Sequence, residues 1–149
     1  MTLKQKIHHH YLQIADDKIG VLRKVLADLK ETGANETKST AGDKHETALA
    51  MLQIEQANTR AQLKEVSDQK LVLEKINPAL STVTVVNGSL IKTNRGWLYM
   101  STALGKATAK DITVIALSSQ SPLGKKLLGL SVGEVAEINN TTYVIEEIA

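Results

Sequence analysis

Apolar positions in the first half of the chain recur at the three- and four-residue spacing of an amphipathic helix. One stripe consists of Ile7, Tyr11, Ile14, Ile19, Leu22, Leu26 and Leu29, with a shift in phase after Ile14. This stripe predicts a helix of about 28 residues, from near Thr2 to near Leu29 or Glu31.

A second stripe predicts a second helix. It consists of Leu49, Leu52, Gln56, Thr59, Leu63, Val66, Lys70 and Leu73. Its three-four alternation is regular, but Gln56, Thr59 and Lys70 are polar. Such a row can hold two helices together as a hairpin, but it is too polar for a highly stable independent coiled coil. We therefore expect a monomer in solution.

The segment between the two stripes reads ETGANETKSTAGDK and predicts the connection between the helices. Its Gly33, Asn35, Ser39 and Gly42 favour a break in helical structure. Two helices joined by one loop, with no third helix to pack on, predict an antiparallel hairpin whose tip spans about residues 33–46. At about 1.5 Å per residue, each arm is expected to reach roughly 40–45 Å.

The composition changes at Asn77–Pro78, where helix-forming residues give way to Val, Ile and Thr with spaced glycines. We expect a helical hairpin over residues 1–77 and a β-rich domain over residues 78–149. Strands are predicted near Val83–Val86, Ser89–Lys92, Gly96–Thr102, Ile112–Leu117, Glu134–Ile138 and Thr141–Ile148. The Ser121–Pro122 pair predicts the start of a short helix that ends at Gly129 and buries Leu123, Leu127 and Leu128. The predicted fold class is α+β, with an antiparallel two-helix coiled-coil hairpin and a small antiparallel sheet carrying one short helix.

Composition excludes several kinds of protein. The chain has no cysteine, which excludes disulfides, a thiolate zinc site and a cysteine nucleophile. A net charge of +2 argues against free DNA or RNA as the main partner. No apolar run approaches the roughly 20 residues of a membrane span, and the first residues lack a signal-peptide pattern. We therefore expect a cytoplasmic protein without membrane contact. His8, His9 and His10 point in different directions around a helix, so we interpret them as surface residues.

Asp43 and Glu46 lie three residues apart where the loop enters the second helix. One interpretation is a capping box, in which the two side chains satisfy free backbone amides. The other is a divalent metal site at the tip of the hairpin. Two carboxylates are too few for Mg²⁺, so a partner would have to supply the remaining ligands. The two interpretations are compatible.

Basic and titratable side chains surround this pair. His45 is either a solvated surface residue or a proton carrier at neutral pH. Lys30, Lys38, Lys44, Arg60 and Lys64 form either a solvated helix face or a stripe that guides phosphates. Nucleophile–base constellations and Gly-rich phosphate loops are absent from the sequence, so we do not expect a self-sufficient enzyme.

Three segments together resemble the Gre family of bacterial transcript-cleavage factors. Residues 41–63, AGDKHETALAMLQIEQANTRAQL, are similar to the family's tip and returning helix. Residues 121–138, SPLGKKLLGLSVGEVAEI, are similar to its C-terminal signature, and residues 87–93 to the strand that opens that domain. The C-terminal motif residues are Ser121, Pro122, Leu123, Gly124, Leu128, Gly129 and Gly133.

The resemblance implies that the C-terminal domain is FKBP-like and docks at the rim of the secondary channel of RNA polymerase. The hairpin then passes down the channel, where Asp43 and Glu46 help the polymerase's own aspartates to hold a second Mg²⁺. Backtracked RNA is hydrolysed there by a two-metal mechanism. The protein would be an accessory factor rather than an enzyme. It would meet the nascent RNA 3′ end only indirectly, with Lys38, Lys44, His45, Arg60 and Lys64 as contact candidates.

The sequence departs from the family pattern near the tip. Ala50 stands where many members have an aromatic residue, Ile54 stands where they have a basic one, and His45-Glu46-Thr47 replaces Ser-Glu-Asn. These changes remove contacts that position RNA, so a non-cleaving secondary-channel regulator is one alternative. A coiled-coil interaction module is another. A prolyl isomerase, suggested by the FKBP-like fold, would need more aromatic lining than Trp97, Tyr99 and Tyr143 supply.

Overall fold

The computed structural model describes residues 1–36 and 42–149, with Glu36 and residues 42–45 described by their backbone alone. The helices are α1 (Leu3–Glu36), α2 (Gly42–Glu74) and α3 (Pro122–Leu127). The strands are β1 (Leu90–Thr93), β2 (Gly96–Ser101), β3 (Gly105–Ala109), β4 (Ile112–Ser118), β5 (Val135–Ile138) and β6 (Thr141–Ile148). The α+β fold class is confirmed.

The chain divides into two compact units. One comprises Met1–Ile14 and Gln69–Ala149, and the other comprises Ala15–Asp68. Each of the two long helices therefore contributes residues to both units. The boundary placed between residues 77 and 78 stays a prediction. None of the described helices is long and apolar enough to cross a membrane.

The Ala15–Asp68 unit consists of the facing parts of α1 and α2. Its predicted row on α2 is buried or half-buried at every position, namely Leu49, Leu52, Gln56, Thr59, Leu63 and Val66. We call this row the seam. The Gln56 side chain donates a hydrogen bond from Nε2 to the Leu29 carbonyl of α1 at 3.3 Å. The periodicity therefore predicted the paired face correctly, including its polar members.

The predicted connection between the helices was too long. Helix α1 continues through Gly33 and Asn35 to Glu36, and α2 already begins at Gly42. A glycine inside a helix costs only about 1 kcal/mol, which packing along the seam can offset. Gly33 lies on this packed face, since a Cβ built on it would be 3.6 Å from Gln56 Nε2.

The other unit is built on a six-stranded sheet of order β3-β4-β2-β1-β6-β5. Neighbouring strands are antiparallel except β2 and β4, which run parallel, so the sheet is mostly rather than wholly antiparallel. Strand β3 was not predicted, because its Gly-Lys-Ala-Thr-Ala sequence has little β-propensity. The strand predicted at Val83–Val86 is only an isolated bridge between Thr84 and Ser131.

The face of the sheet that carries Leu98 forms the main hydrophobic core. Its buried members are Val85, Ile91, Leu98, Met100, Leu117, Leu127, Ala136 and Ile145. Leu127 comes from α3, and Leu123 of the same helix packs against the cluster while half-buried. All eight buried members are aliphatic residues or methionine.

The first turns of α1 pack on strands β2 to β4. The Tyr11 hydroxyl donates to the carbonyls of Gly105 at 2.7 Å and Val114 at 3.0 Å. His8 Nδ1 lies 2.6 Å from the Tyr99 hydroxyl, and only 6% of His8 is exposed. The interpretation of His8 as a surface residue was therefore wrong. It flanks Ile7 and lies three residues before Tyr11, which places it on the packed face of the helix.

Candidate functional site

The acidic pair lies at the start of α2. Because the helix begins at Gly42, Asp43 and Glu46 fall in its first turns, and their spacing of three places them on one side of the helix. The Glu46 side chain is exposed. The side chains of Asp43, Lys44 and His45 and the whole of Lys38 lie outside the described residues. The capping and metal-binding interpretations of the pair both stay predictions.

The donor set at this position has the right chemistry for Mg²⁺, because carboxylate oxygens are its preferred protein ligands. Two carboxylates are too few ligands to form a complete Mg²⁺ site. Within residues 1–35 and 46–149, where side chains are described, no group of three or more His, Asp or Glu residues could hold a metal ion. An ion at the tip would need ligands from another molecule.

Among the predicted basic contact residues, the structure describes the side chains of Arg60 and Lys64, and the two differ in whether they are ion-paired. Lys64 Nζ lies 2.8 Å from Asp68 Oδ2, and both side chains are exposed. This hydrogen bond raises the pKa of Lys64. Arg60, one turn earlier, is also exposed, and in the described part of the chain it has no ion pair. Arg60 can thus meet a phosphate directly, whereas Lys64 must first leave Asp68.

Ala50 and Ile54 lie one turn apart on the exposed side of α2. Ile54 is 61% exposed and the adjacent Met51 is 59% exposed. Ala57 and Ala61 continue this uncharged exposed strip along the helix. The two departures from the family pattern therefore lie on a solvent-facing surface, where they are available to a partner.

The first part of the C-terminal motif builds a tight corner before α3. Ser121 caps the helix, since its Oγ accepts from the Gly124 amide at 3.0 Å and donates to the Ser118 carbonyl at 2.6 Å. Pro122 is the first helical residue, as predicted. Gly124 is buried, and a Cβ on it would collide with the Ser118 carbonyl oxygen. Only glycine fits at this position without movement of the backbone.

The rest of the motif shapes the turns after α3. Gly129 and Gly133 have φ angles of +85° and +90°, which favour glycine. The Gly129 amide donates to the Val85 carbonyl and the Gly133 amide to the Ile145 carbonyl, each at 2.8 Å. Leu128 is 47% exposed, so the prediction that it is buried with Leu123 and Leu127 was wrong. The motif mainly specifies structure around α3.

A groove of about 560 Å³ runs beside this corner. Its apolar lining includes Trp97, Leu98, Ile115, Leu117, Leu123 and Tyr143, and Ser121 and Pro122 lie on its α3 side. Arg95 and Lys106 also line it, and no acidic residue does. We call it the α3 groove. The sequence marked Ser121–Leu123 as a motif, but nothing in it indicated that β2, β4 and β6 supply the other walls.

Arg95 is held against the α3 groove by two contacts. Its guanidinium lies 5.9 Å from the centre of the Tyr143 ring, and Nε donates to the Thr142 carbonyl at 2.9 Å. Lys106 is exposed on β3, the outermost strand of the sheet on that side. The groove therefore combines an apolar floor with the positive charges of Arg95 and Lys106, a combination suited to an apolar segment that carries carboxylates.

Comparison with known proteins supports the motif resemblance. No protein-family model matches the chain. Transcription elongation factor GreA of Flavobacterium johnsoniae is 35% identical to it over 78 residues, which cover 52% of this chain and 49% of that protein. The resemblance to the Gre family is confirmed over this half of the chain. The match spans about half the length of that relative.

Two solved structures resemble the chain more loosely. The transcription factor Gfh1 has 16% sequence identity and a TM-score of 0.37, with 92% of each chain covered. GreA factor homolog 1 (Gfh1) of Thermus thermophilus has 18% identity and a TM-score of 0.34, covering 95% of this chain and 92% of that one. TM-scores in this range do not establish a common arrangement of whole chains.

Proposed function

We propose that the protein is a Gre-type transcription elongation factor that binds RNA polymerase and places the start of α2 in its secondary channel. The observation that carries this proposal is the 35% identity to GreA over half of the chain. The Gly42–Asp43 and Glu46 motif and the Ser121–Gly133 motif occur in the family's order and support the same assignment.

The tip carboxylates have the role of completing a metal site that the polymerase begins. Glu46 is exposed, and its i,i+3 spacing from Asp43 lets both residues approach one ion. A Mg²⁺ bound between the pair and the polymerase aspartates would activate water for hydrolysis of backtracked RNA. Arg60 would then hold a phosphate of the displaced RNA, because it is exposed and makes no ion pair with the described residues.

The α3 groove is proposed as the docking surface for the polymerase. Its apolar floor and its two cationic residues, Arg95 and Lys106, match a partner segment with an apolar anchor and nearby carboxylates. The family's C-terminal domain docks at the channel rim, which gives this groove a role distinct from that of the tip.

A second candidate function is a secondary-channel regulator that occupies the channel without promoting cleavage. The exposed, uncharged strip that contains Ala50 and Ile54 favours it, because aromatic and basic contacts to RNA are missing there. The acidic pair could still bind near the active site and slow nucleotide addition.

Backtracked complexes of the cognate polymerase test both candidates. The wild-type protein is expected to shorten the stalled RNA. The double variant Asp43→Asn, Glu46→Gln should keep polymerase binding and lose cleavage by at least about 10–100-fold, the range seen even for groups that only support metal ligands. Glu65→Gln, an exposed change on the same helix, is the matched control.

The outcomes separate the candidates. Binding with slowed elongation and no cleavage by the wild type establishes the regulator. Equal cleavage by the wild type and the double variant rejects the role of the tip carboxylates. Absence of polymerase binding by the wild type rejects the proposed function altogether.

A further inference from the structure

A second groove, unrelated to the tip or to the C-terminal motif, lies in the unit that contains the sheet. Its volume is about 510 Å³, within the range of small-molecule sites. It is formed where α2 ends, by Lys4 of α1, by Val72, Lys75, Ile76 and Asn77, and by parts of the segment from Leu80 to Gly88. We call it the Lys4 groove.

Lys4 is the unusual residue of this groove. Only 6% of it is exposed, and its described hydrogen bond runs from Nζ to the Leu80 carbonyl at 2.6 Å. An ammonium group has three donors, and a carbonyl provides no opposite charge. Burial lowers the pKa of Lys4, as expected for a charge removed from water. A bound anion would supply the missing counter-charge.

The acidic side chains nearby do not fill this role. None of the residues lining the Lys4 groove is Asp or Glu. Glu147 lines a separate cavity that Lys4 also borders, but Glu147 is exposed and is not ion-paired with Lys4 among the described contacts. Glu74, at the end of α2, pairs with Lys70 at 3.8 Å.

The remaining lining supplies both polar and apolar contacts. Lys75, Asn77, Thr82 and Asn87 offer a second cation, two amides and a hydroxyl. The apolar residues Val72, Ile76, Leu80 and Val86 also line the groove. Lysines bind a phosphate through their charge and do not fix its orientation. The apolar residues would therefore orient the rest of the ligand.

The wall of the groove is held in place by close packing. Gly88 has a φ of +95°, and a Cβ on it would lie 2.8 Å from Ile76 Cγ2. Its amide donates to the Met100 carbonyl at 2.6 Å, which ties the turn to the sheet. The Asn87–Gly88 turn therefore cannot close over the groove without breaking these contacts.

We infer that the Lys4 groove binds a small phosphate-bearing molecule with an apolar or aromatic portion. The ammonium groups of Lys4 and Lys75 contact the phosphate, and Val72, Leu80 and Val86 contact the apolar portion. This site is independent of the acidic tip and of the proposed polymerase-docking groove.

Amide NMR of the full chain at constant ionic strength tests the inference with three probes. AMP carries both parts of the ligand, inorganic phosphate carries the charge alone, and adenosine carries the apolar part alone. AMP is expected to shift the amides of Thr82, Asn87 and Gly88 saturably and to bind more tightly than either fragment. Absence of a saturable AMP shift at millimolar concentration overturns the inference.

Two variants locate the charge. Lys4→Met keeps the apolar stem and removes the ammonium, so we expect AMP affinity to fall about tenfold. Lys75→Gln, at an exposed position, should weaken it a few-fold. Lys18→Met removes the same charge from an exposed position of the same helix and should change nothing. If Lys18→Met and Lys4→Met lose AMP affinity equally, the site is rejected. It is also rejected if Lys75→Gln binds AMP with wild-type affinity, and this second measurement remains decisive even if Lys4→Met does not fold.

Discussion

At the scale of single residues, two glycines in helices predict opposite outcomes for the same substitution. A Cβ at Gly124 would collide with the Ser118 carbonyl, whereas a Cβ at Gly20 would have no neighbour within 4 Å. Gly124→Ala should therefore lower the free energy of unfolding by about 1–3 kcal/mol or more. Gly20→Ala should raise it by about 0.5–1 kcal/mol, because alanine restricts the unfolded chain and favours helix. Urea unfolding of both variants measures this difference, and similar shifts in both would contradict the role given to the motif glycine.

His8 makes the stability of the same molecule depend on pH. Desolvation lowers its pKa, and the charges of His9 and Lys4 lower it further. Burial also raises the pKa of Tyr99, so the hydroxyl that lies 2.6 Å from His8 Nδ1 stays neutral and offers no counter-charge to a protonated imidazole. The unfolded chain then binds a proton more readily than the folded one. Stability should be complete above the ordinary histidine pKa of about 6.5 and should fall as the pH drops below it.

Thermal unfolding at pH 7.5 and pH 5.5 checks this expectation, with His8→Gln as the variant that cannot titrate. The wild type should lose more stability than His8→Gln between the two pH values. The exposed His10 provides the control, since His10→Gln should leave the pH dependence as it is in the wild type. Parallel loss in the wild type and His8→Gln would falsify the assignment of the effect to His8.

At the scale of elements, the seam between α1 and α2 contains Thr59, whose hydroxyl contributes no bond between the described parts of the two helices. Thr59 is buried, and within the described part of the chain its hydroxyl donates to the Glu55 carbonyl of its own helix, at 2.8 Å, and not to α1. Thr59→Val replaces the hydroxyl by a methyl group of similar size. It should stabilise the packing of α1 against α2 by about 0.5–1 kcal/mol. Thr32 makes the same bond to Asp28 at 2.9 Å but is exposed. Thr32→Val should therefore have little effect, and amide hydrogen exchange across Glu55–Leu63 distinguishes the two.

The same elements explain what the sequence could and could not predict. The seam, the Ser121 cap and five of the six strands are encoded by neighbours in sequence, so periodicity and capping rules found them. The parallel pairing of β2 with β4 depends on β3, whose Gly-Lys-Ala-Thr-Ala sequence carries no strand signal. His8 was misplaced for a related reason, because its partner Tyr99 is 91 positions away. The two grooves join distant segments in the same way, so residue patterns alone could not reveal them.

At the scale of the whole molecule, the proposed function assigns docking and active-site chemistry to different parts of the chain. The α3 groove, with Lys106 at its lining, lies in one compact unit, and Glu46 and Arg60 lie in the other. Variants of the two parts should therefore fail in different assays. Arg95 is unsuitable as a probe, because its bond to the Thr142 carbonyl is structural. Lys106 is exposed and makes no described ion pair, so its charge can be changed with little effect on folding.

Lys106→Glu reverses a charge beside the apolar floor of the groove and should weaken polymerase binding by about tenfold through repulsion of partner carboxylates. At saturating concentration it should still support wild-type cleavage. The double variant Asp43→Asn, Glu46→Gln should show the reverse pattern, with wild-type binding and no cleavage. Lys110→Glu reverses an exposed charge that does not line the groove and serves as the control. Polymerase binding is measured by competition with the wild-type protein. If Lys106→Glu and Lys110→Glu compete equally well, the α3 groove is not the docking surface. The polymerase must then bind another face of the chain.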